Sequence, residues 1–244
     1  MVLIHKTLFL FLFVPLTALT SALCLATAWI GKNAIVAHRI AQIGSGLALK
    51  LAGVRVHADL SRLDPTATYA FMCNHLSQYD IVILFAILKH WNVRFVAKES
   101  LSKIPLFGHA MRRMGHIPIH RENSRKAMKA IDKAAEACGR GVSVVIFPEG
   151  TRSDGGEKLG DFKIGGMIMA LKCNVPVAPL IITGTDAILP RGAWLPTPGE
   201  ARLYALEPFN PSGKFSMRER DEFRTWLKDL MDTAYRERRS GSSL

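Results

Sequence analysis

Residues 7–31 form an unbroken run of 25 residues without a charged side chain, long enough to cross the hydrocarbon core of a bilayer as a helix. Backbone N–H and C=O groups in lipid must be satisfied within the segment itself, so this stretch is expected to be helical and attached to a membrane. Lys6 precedes the run, whereas Lys32, Arg39 and Lys50 follow it; the cationic excess on the carboxyl side favours keeping the rest of the chain on the cytoplasmic face of an inner membrane. Pro15 offers a place to kink. Two arrangements therefore stand side by side: a full span, or a helical hairpin held in one leaflet with residues 33–52 as its amphipathic second arm. A cleaved secretory signal ending near Ala26-Thr27-Ala28 is the competing reading, and the length of the run argues against it.

From residue 53 the pattern changes to short β-rich runs alternating with helical periodicity, which predicts an α/β fold with a mixed central sheet flanked by helices. Strands are expected at residues 54–57, 69–73, 93–97, 117–120, 142–147, 177–182 and 202–206. Ala127, Ile131, Ala134 or Ala135, and Cys138 share one face of a helix opening near Asn123 or Ser124 and stopping at Gly139. Phe223, Trp226, Leu227, Leu230 and Ala234 form the face of a carboxyl-terminal helix, which reads as a packing element. With 244 residues and 49% apolar composition, the chain can bury one core. The division is a membrane segment at 1–52, one catalytic domain at 53–238 and a polar tail at 239–244. No internal repeat is present, and only residues 153–160, 191–199 and the tail read as flexible.

Lys and Arg total 32 against 20 Asp and Glu, a formal charge of +12, so anionic partners are expected. Nucleic acid is disfavoured: there is no recognised binding motif, and the 8% aromatic residues show no basic-aromatic rhythm. Neither GxxxxGK[ST] nor HExxH occurs, which removes the sequence signals for nucleotide hydrolysis and zinc proteolysis. Cys24, Cys73, Cys138 and Cys173 form no CxxC pair or metal-ligand spacing, and free thiols in a reducing compartment are expected. Arg112, Arg113, Arg125, Lys126 and Lys129 form a basic group that suits either anionic headgroups or solvent.

Residues 74–80 read Asn-His-Leu-Ser-Gln-Tyr-Asp, between a strand ending near Cys73 and an apolar helix from Ile81. Ser77 and Asp80 stand at capping-box spacing, which by itself accounts for the aspartate. The same turn suits catalysis, because the first helical turn folds Asp80 back toward His75. A carboxylate on one ring nitrogen fixes the imidazole tautomer and leaves the other nitrogen to take a proton from a bound hydroxyl. An unperturbed imidazole titrates near pH ~6.5, and such base catalysis is worth about 100- to 10,000-fold. A second strand, 142–147, runs into Phe147-Pro148-Glu149-Gly150-Thr151-Arg152-Ser153. Lys98 and Arg121 each follow a strand of their own, so several cations can converge at strand ends on a tetrahedral anion.

Asn74-His75 through Asp80 resembles the NHxxxxD block of the glycerolipid acyltransferases, and residues 147–153 reproduce that family's FPEGTRS block. Residues 115–121 are similar to its Gly-x-x-Phe-Ile-x-Arg block with Pro118 in place of Phe, and residues 175–179 to its Val-Pro-x-x-Pro block. The resemblance extends over about residues 54–207, in matching order and spacing. It implies His75 as general base and Asp80 as its partner, with Arg121, Glu149, Gly150, Thr151 and Arg152 binding a phosphorylated glycerol acceptor. Lys98 is a further candidate, as is Lys163 in Phe162-Lys163-x-Gly165, and the final proline block is expected to shape the acyl-donor site. The implied substrates are lysophosphatidate and an acyl carrier protein or coenzyme A thioester at a phospholipid membrane, with no cofactor or metal; such donors are cytoplasmic, which also counts against export. Two alternatives remain: acylation of another lyso-lipid, such as a lyso-ornithine lipid, and a non-enzymatic protein that binds anionic lipid.

Overall fold

The structure, a computed structural model, describes residues 2–119, 124–153 and 155–240. An apolar helix, α1 (Val2–Thr27), runs through Pro15 and is followed by α2 (Ile35–Leu51), β1 (Val54–Asp59), β2 (Ala70–Cys73) and α3 (Tyr79–Ile87). Next come β3 (Val93–Lys98), α4 (Phe107–Arg113), β4 (Ile117–Ile119), α5 (Ser124–Gly139) and β5 (Ser143–Ile146). The chain closes with α6 (Ile164–Cys173), β6 (Val177–Thr183), the single turn α7 (Thr185–Ile188), β7 (Gly199–Ala205) and α8 (Arg220–Ser240).

The seven strands form one mixed sheet in the order β1-β7-β6-β2-β5-β3-β4. Only β6 and β7 pair antiparallel, so β1 and β7 run against the other five strands. The carboxyl ends of β2, β5, β3 and β6 consequently share one edge. From β2 the chain crosses to β3 on one side of the sheet, and from β5 it crosses back over β2 to β6. The carboxyl end of β2 thus lies where the strand order reverses, the place at which open α/β sheets form clefts.

Both faces of the sheet are covered, which is why β2, β5 and β6 are buried along their whole length and apolar but for the terminal Ser143 and Thr183. Side chains alternate between two cores. Phe71 and Cys73 join Tyr79 and Ile83 of α3 on one face; Ala70 and Met72 join α5, α6 and α8 on the other. All seven expected strands are present. The last begins at Gly199 rather than Arg202, because β1 pairs with the backbone from Gly199 onward, a contact that hydropathy does not register. In α5 the buried line is Ala130, Ile131, Ala134, Ala137 and Cys138. In α8 it is Phe223, Leu227, Met231 and Tyr235, and Leu230 faces outward at 36% exposure. Helix α8 also carries Arg239 and Ser240, expected in a polar tail. Residues 241–244, His120, Arg121 and Asn123 lie outside the described residues. The four cysteines are buried and free.

Helix α1 contains a 19-residue segment, Phe9–Thr27, of mean hydropathy 2.2, of which 17% is buried. An apolar helix left this open is consistent with membrane association. Its inner side is fixed. Phe9 enters the core beside α3, and Cys24 packs with Ala37 of α2 and with Ala110 and Met114 of α4. The link between α1 and α2 and the first turns of α2 are hydrogen-bonded to the turn that precedes β3 and to neighbouring backbone. His38 Nε2 pairs with Trp91 O at 3.0 Å, Gln42 Nε2 donates to Leu88 O at 3.0 Å, and Asn33 Nδ2 donates to Arg140 O at 3.0 Å. Asn92 and the buried Arg94 both donate to Asn33 O.

Candidate active site

Asn74 ends β2 by extending its pairing with β6 through a side chain: Nδ2 donates to Ile182 O at 2.9 Å, and Oδ1 accepts from Ile182 N–H at 2.8 Å. The backbone is thereby fixed one residue before His75. In the following turn the fully buried Asp80 points one oxygen, Oδ2, back at three donors. His75 Nδ1 is 2.7 Å away, and the amides of Leu76 and Ser77 are at 2.8 and 2.9 Å. Ser77 Oγ accepts from Tyr79 N–H at 3.2 Å and donates to Leu189 O at 2.9 Å. Helix capping and the ring contact therefore coexist on one carboxylate, although α3 itself begins at Tyr79, with Gln78 rather than Ser77 at the capping position.

A carboxylate oxygen only accepts, so Nδ1 carries the proton in this pair and Nε2 is the free acceptor of a neutral imidazole. The ring lies flat on Phe147, with centroids 4.0 Å apart and planes inclined by 21°. The His75 side chain is 13% exposed, enough to be reached by a substrate and little enough to hold one orientation.

The turn after β5 meets this loop through the backbone. Glu149, 1% exposed, accepts from His75 N–H at 2.7 Å with Oε1 and from Gly160 N–H at 2.8 Å with Oε2. Ser153 N–H donates to His75 O at 2.8 Å, assisted by Ser153 Oγ. Both backbone groups of His75 are thus held by residues 149–153. Burial pushes the Glu149 carboxyl above the usual carboxylate range, while the His75 and Gly160 amides pull the other way. Gly150, at φ +70°, makes a left-handed turn that favours glycine, and a side chain there would press on the stem of Lys163, with Cγ 3.2 Å from the position of a Cβ.

Of the remaining expected residues, Thr151, Arg152 and Lys98 follow strands that end at this edge. Thr151 is exposed and Arg152 half-buried; among the described residues, Arg152 makes no ion pair or hydrogen bond. Lys98 is exposed at the carboxyl end of β3, two strands from β2. Arg121 lies outside the described residues. Residues 175–179 fall at the amino half of β6, away from this edge, where Pro176 O accepts from Ala70 N–H and Pro179 O from Leu206 N–H. Asn74 and Ser153 carry no expected role in the sequence, and their signal there is their place at the ends of the two blocks.

The acyltransferase family model matches residues 54–183, more than half of the chain and inclusive of both loops. The chain belongs to the glycerolipid acyltransferase family. The chain is 37% identical over 123 residues to a chloroplastic 1-acyl-sn-glycerol-3-phosphate acyltransferase of Brassica napus, covering 50% of this chain and 35% of that one. A 1-acyl-sn-glycerol-3-phosphate acyltransferase of Helicobacter pylori is 31% identical over 172 residues, covering 70% and 69% of the two chains. The chain thus spans about a third of the plant relative's length and about two thirds of the bacterial one. The crystal structure of the 1-acyl-sn-glycerophosphate acyltransferase from Thermotoga maritima superposes with a TM-score of 0.80 at 25% identity, over 98% of this chain and 96% of that one.

Proposed function

We propose that the protein transfers a fatty acyl chain from an acyl thioester to the free sn-2 hydroxyl of lysophosphatidate, giving phosphatidate. The observation that carries this reading is the 2.7 Å contact of His75 Nδ1 with Asp80 Oδ2, in a histidine whose backbone is gripped by the FPEGTRS turn. Base and turn are one rigid unit. The acceptor's phosphate would lie against Arg152, with Arg121, Lys98 and Lys163 as further cations and the Gly150 turn giving close backbone approach. That leaves the glycerol hydroxyl beside His75 Nε2.

The hydroxyl oxygen attacks the thioester carbonyl as Nε2 takes its proton, and Asp80 stabilises the imidazolium. The amides of Thr151 and Arg152 have no hydrogen-bond acceptor among the described residues, and backbone donors of this kind suit an oxyanion. The tetrahedral intermediate collapses by breaking the carbon–sulfur bond, and the departing thiolate recovers the proton from the imidazolium. Glu149 was expected among the substrate ligands. With both oxygens on backbone amides in a buried position, it reads as a brace for His75. Helix α1 keeps the site where both acceptor and product reside, and in this reading the catalytic domain faces cytoplasmic acyl carrier protein or coenzyme A thioesters.

The test is product mass spectrometry with purified protein, an acyl thioester and a panel containing lysophosphatidate, neutral-headgroup lysophospholipids and lyso-ornithine lipid. Phosphatidate should dominate. His75→Ala should lower its formation about 100- to 10,000-fold without loss of fold, and Arg152→Ala should raise the KM for lysophosphatidate more than that for the thioester. Preferential acylation of a phosphate-free acceptor would overturn the choice of substrate, and unchanged turnover in His75→Ala would overturn the mechanism.

A further inference from the structure

Helix α8 reads as a packing element from sequence, yet its buried side is not wholly apolar. Asp232, 7% exposed, and Tyr235, fully buried, lie on the side that carries Phe223, Leu227 and Met231. A buried carboxylate is costly unless it is well paired. Asp232 Oδ1 accepts from Leu159 N–H at 2.7 Å, and its Oδ2 accepts from Lys228 Nζ at 2.8 Å. Three residues along the helix, Tyr235 OH donates to Gly156 O at 3.3 Å, and Arg239 bridges Tyr235 OH and Asp186 Oδ2 at 2.8 and 3.1 Å. The polar groups of α8 therefore converge on residues 156–159.

That segment does not end in solvent. Leu159 is followed by Gly160, whose N–H is one of the two held by Glu149, and Lys163 N–H donates to Pro148 O at 2.7 Å. Leu159 N–H belongs to the peptide plane just before the one that carries the Gly160 N–H, and only the φ and ψ of Leu159 separate the two planes, so the bond at Leu159 narrows where the Gly160 amide can point. The other Glu149 oxygen holds His75 N–H at 2.7 Å. A single path of hydrogen bonds and one peptide link thus runs from a helix outside the catalytic loops to the backbone of the histidine. We propose that Asp232, seconded by Tyr235, is a positioning residue that holds the 156–160 segment against Glu149 and through it sets the backbone of His75. This rests on the acyl-transfer reading given above.

The test compares Asp232→Leu, Asp232→Asn and Lys228→Met as full-length proteins in mixed micelles of lysophosphatidate and acyl thioester. Asp232→Leu removes the acceptor for Leu159 and should lower kcat about 10- to 100-fold, the scale of a small misplacement of a reacting group, with the KM for thioester little changed. Asp232→Asn keeps an acceptor oxygen and should recover most of that loss, and Lys228→Met, which removes only the ion-pair partner, should match the parent. Combined with Glu149→Gln, the kcat losses should overlap rather than multiply, because both act on one path. Amide exchange reads the same path without activity: Asp232→Leu should speed exchange at Leu159, Gly160 and His75 while the amides of β2 stay protected. Independent kcat losses, an Asp232→Asn enzyme as impaired as Asp232→Leu, or a His75 amide unaffected in Asp232→Leu would each overturn the proposal. If Asp232→Leu does not fold, Tyr235→Phe takes its place, with a smaller, roughly threefold loss that must again overlap with Glu149→Gln. A parent protein that acylates no acceptor defeats the functional reading instead, and the exchange data still judge the positioning path.

Discussion

Asp80 serves two structures with one atom: Oδ2 closes the turn through the amides of Leu76 and Ser77 and holds the imidazole. Its amide analogue separates those duties. In Asp80→Asn the side-chain oxygen still satisfies the turn, but the negative charge that stabilises the imidazolium in the proposed mechanism is gone. The expected result is a folded enzyme with kcat reduced about 100-fold or more and both KM values near those of the parent; a loss of less than about fivefold would reduce the carboxylate to a helix cap. This pair was legible in the sequence because its members are five residues apart and a single turn joins them. The role of Glu149 was not. Its partner, His75 N–H, is 74 positions away, and nothing in an FPEGTRS string says whether the carboxylate faces a ligand or a neighbouring amide. Arg152 remains as the sequence drew it, a cation at a strand end.

At the level of elements, strand positions were readable because a sheet covered on both faces demands continuous apolar runs. Pairing and direction were not, since the antiparallel turn of β7 against β6 and the attachment of β1 rest on backbone hydrogen bonds and on the Arg55–Glu200 pair, which joins positions 145 residues apart. The reversal also leaves a tight junction. Gly184, at φ +84°, links β6 to α7, and a Cβ there would sit 2.4 Å from Glu200 O. Neither the conformation nor the backbone atom can give way cheaply, so Gly184→Ala is expected to destabilise the fold by about 2 kcal/mol or more. Thermal unfolding checks this. An unchanged midpoint would mean that the β6–α7 junction relaxes freely. Because Ser77 and Leu189 tie this region to the loop that carries His75, residual activity should fall at lower temperature than in the parent.

Across the whole molecule, α1 presents Phe11, Val14 and Leu19 outward at 74%, 56% and 60% exposure. Each contributes about 2 kcal/mol when transferred from water to an apolar phase. Changing all three to Ser should release the protein from sedimented membranes while leaving its core intact. Acylation of a vesicle-borne acceptor should then fail at the binding step, with turnover of a short-chain, water-soluble acceptor preserved. A triple variant still sedimenting with membranes would show that α1 is not the main attachment. The uncharged run announced such a helix from the outset; its choice of partners inside the protein depends on residues as remote as Met114.

The hydrogen bonds from His38 and Gln42 to the backbone before β3, and from Asn33 to the backbone before β5, carry a mechanical consequence. A flexible leash would let the sheet tumble above the bilayer, and each encounter with a lipid would begin from a random heading. Here the amino-terminal helices behave like a keel cast in one piece with the hull. However α1 settles in the lipid, the height and attitude of the histidine relative to it are settled in the same act, so in the proposed function no part of the binding energy need be spent on steering the site toward its lipid acceptor.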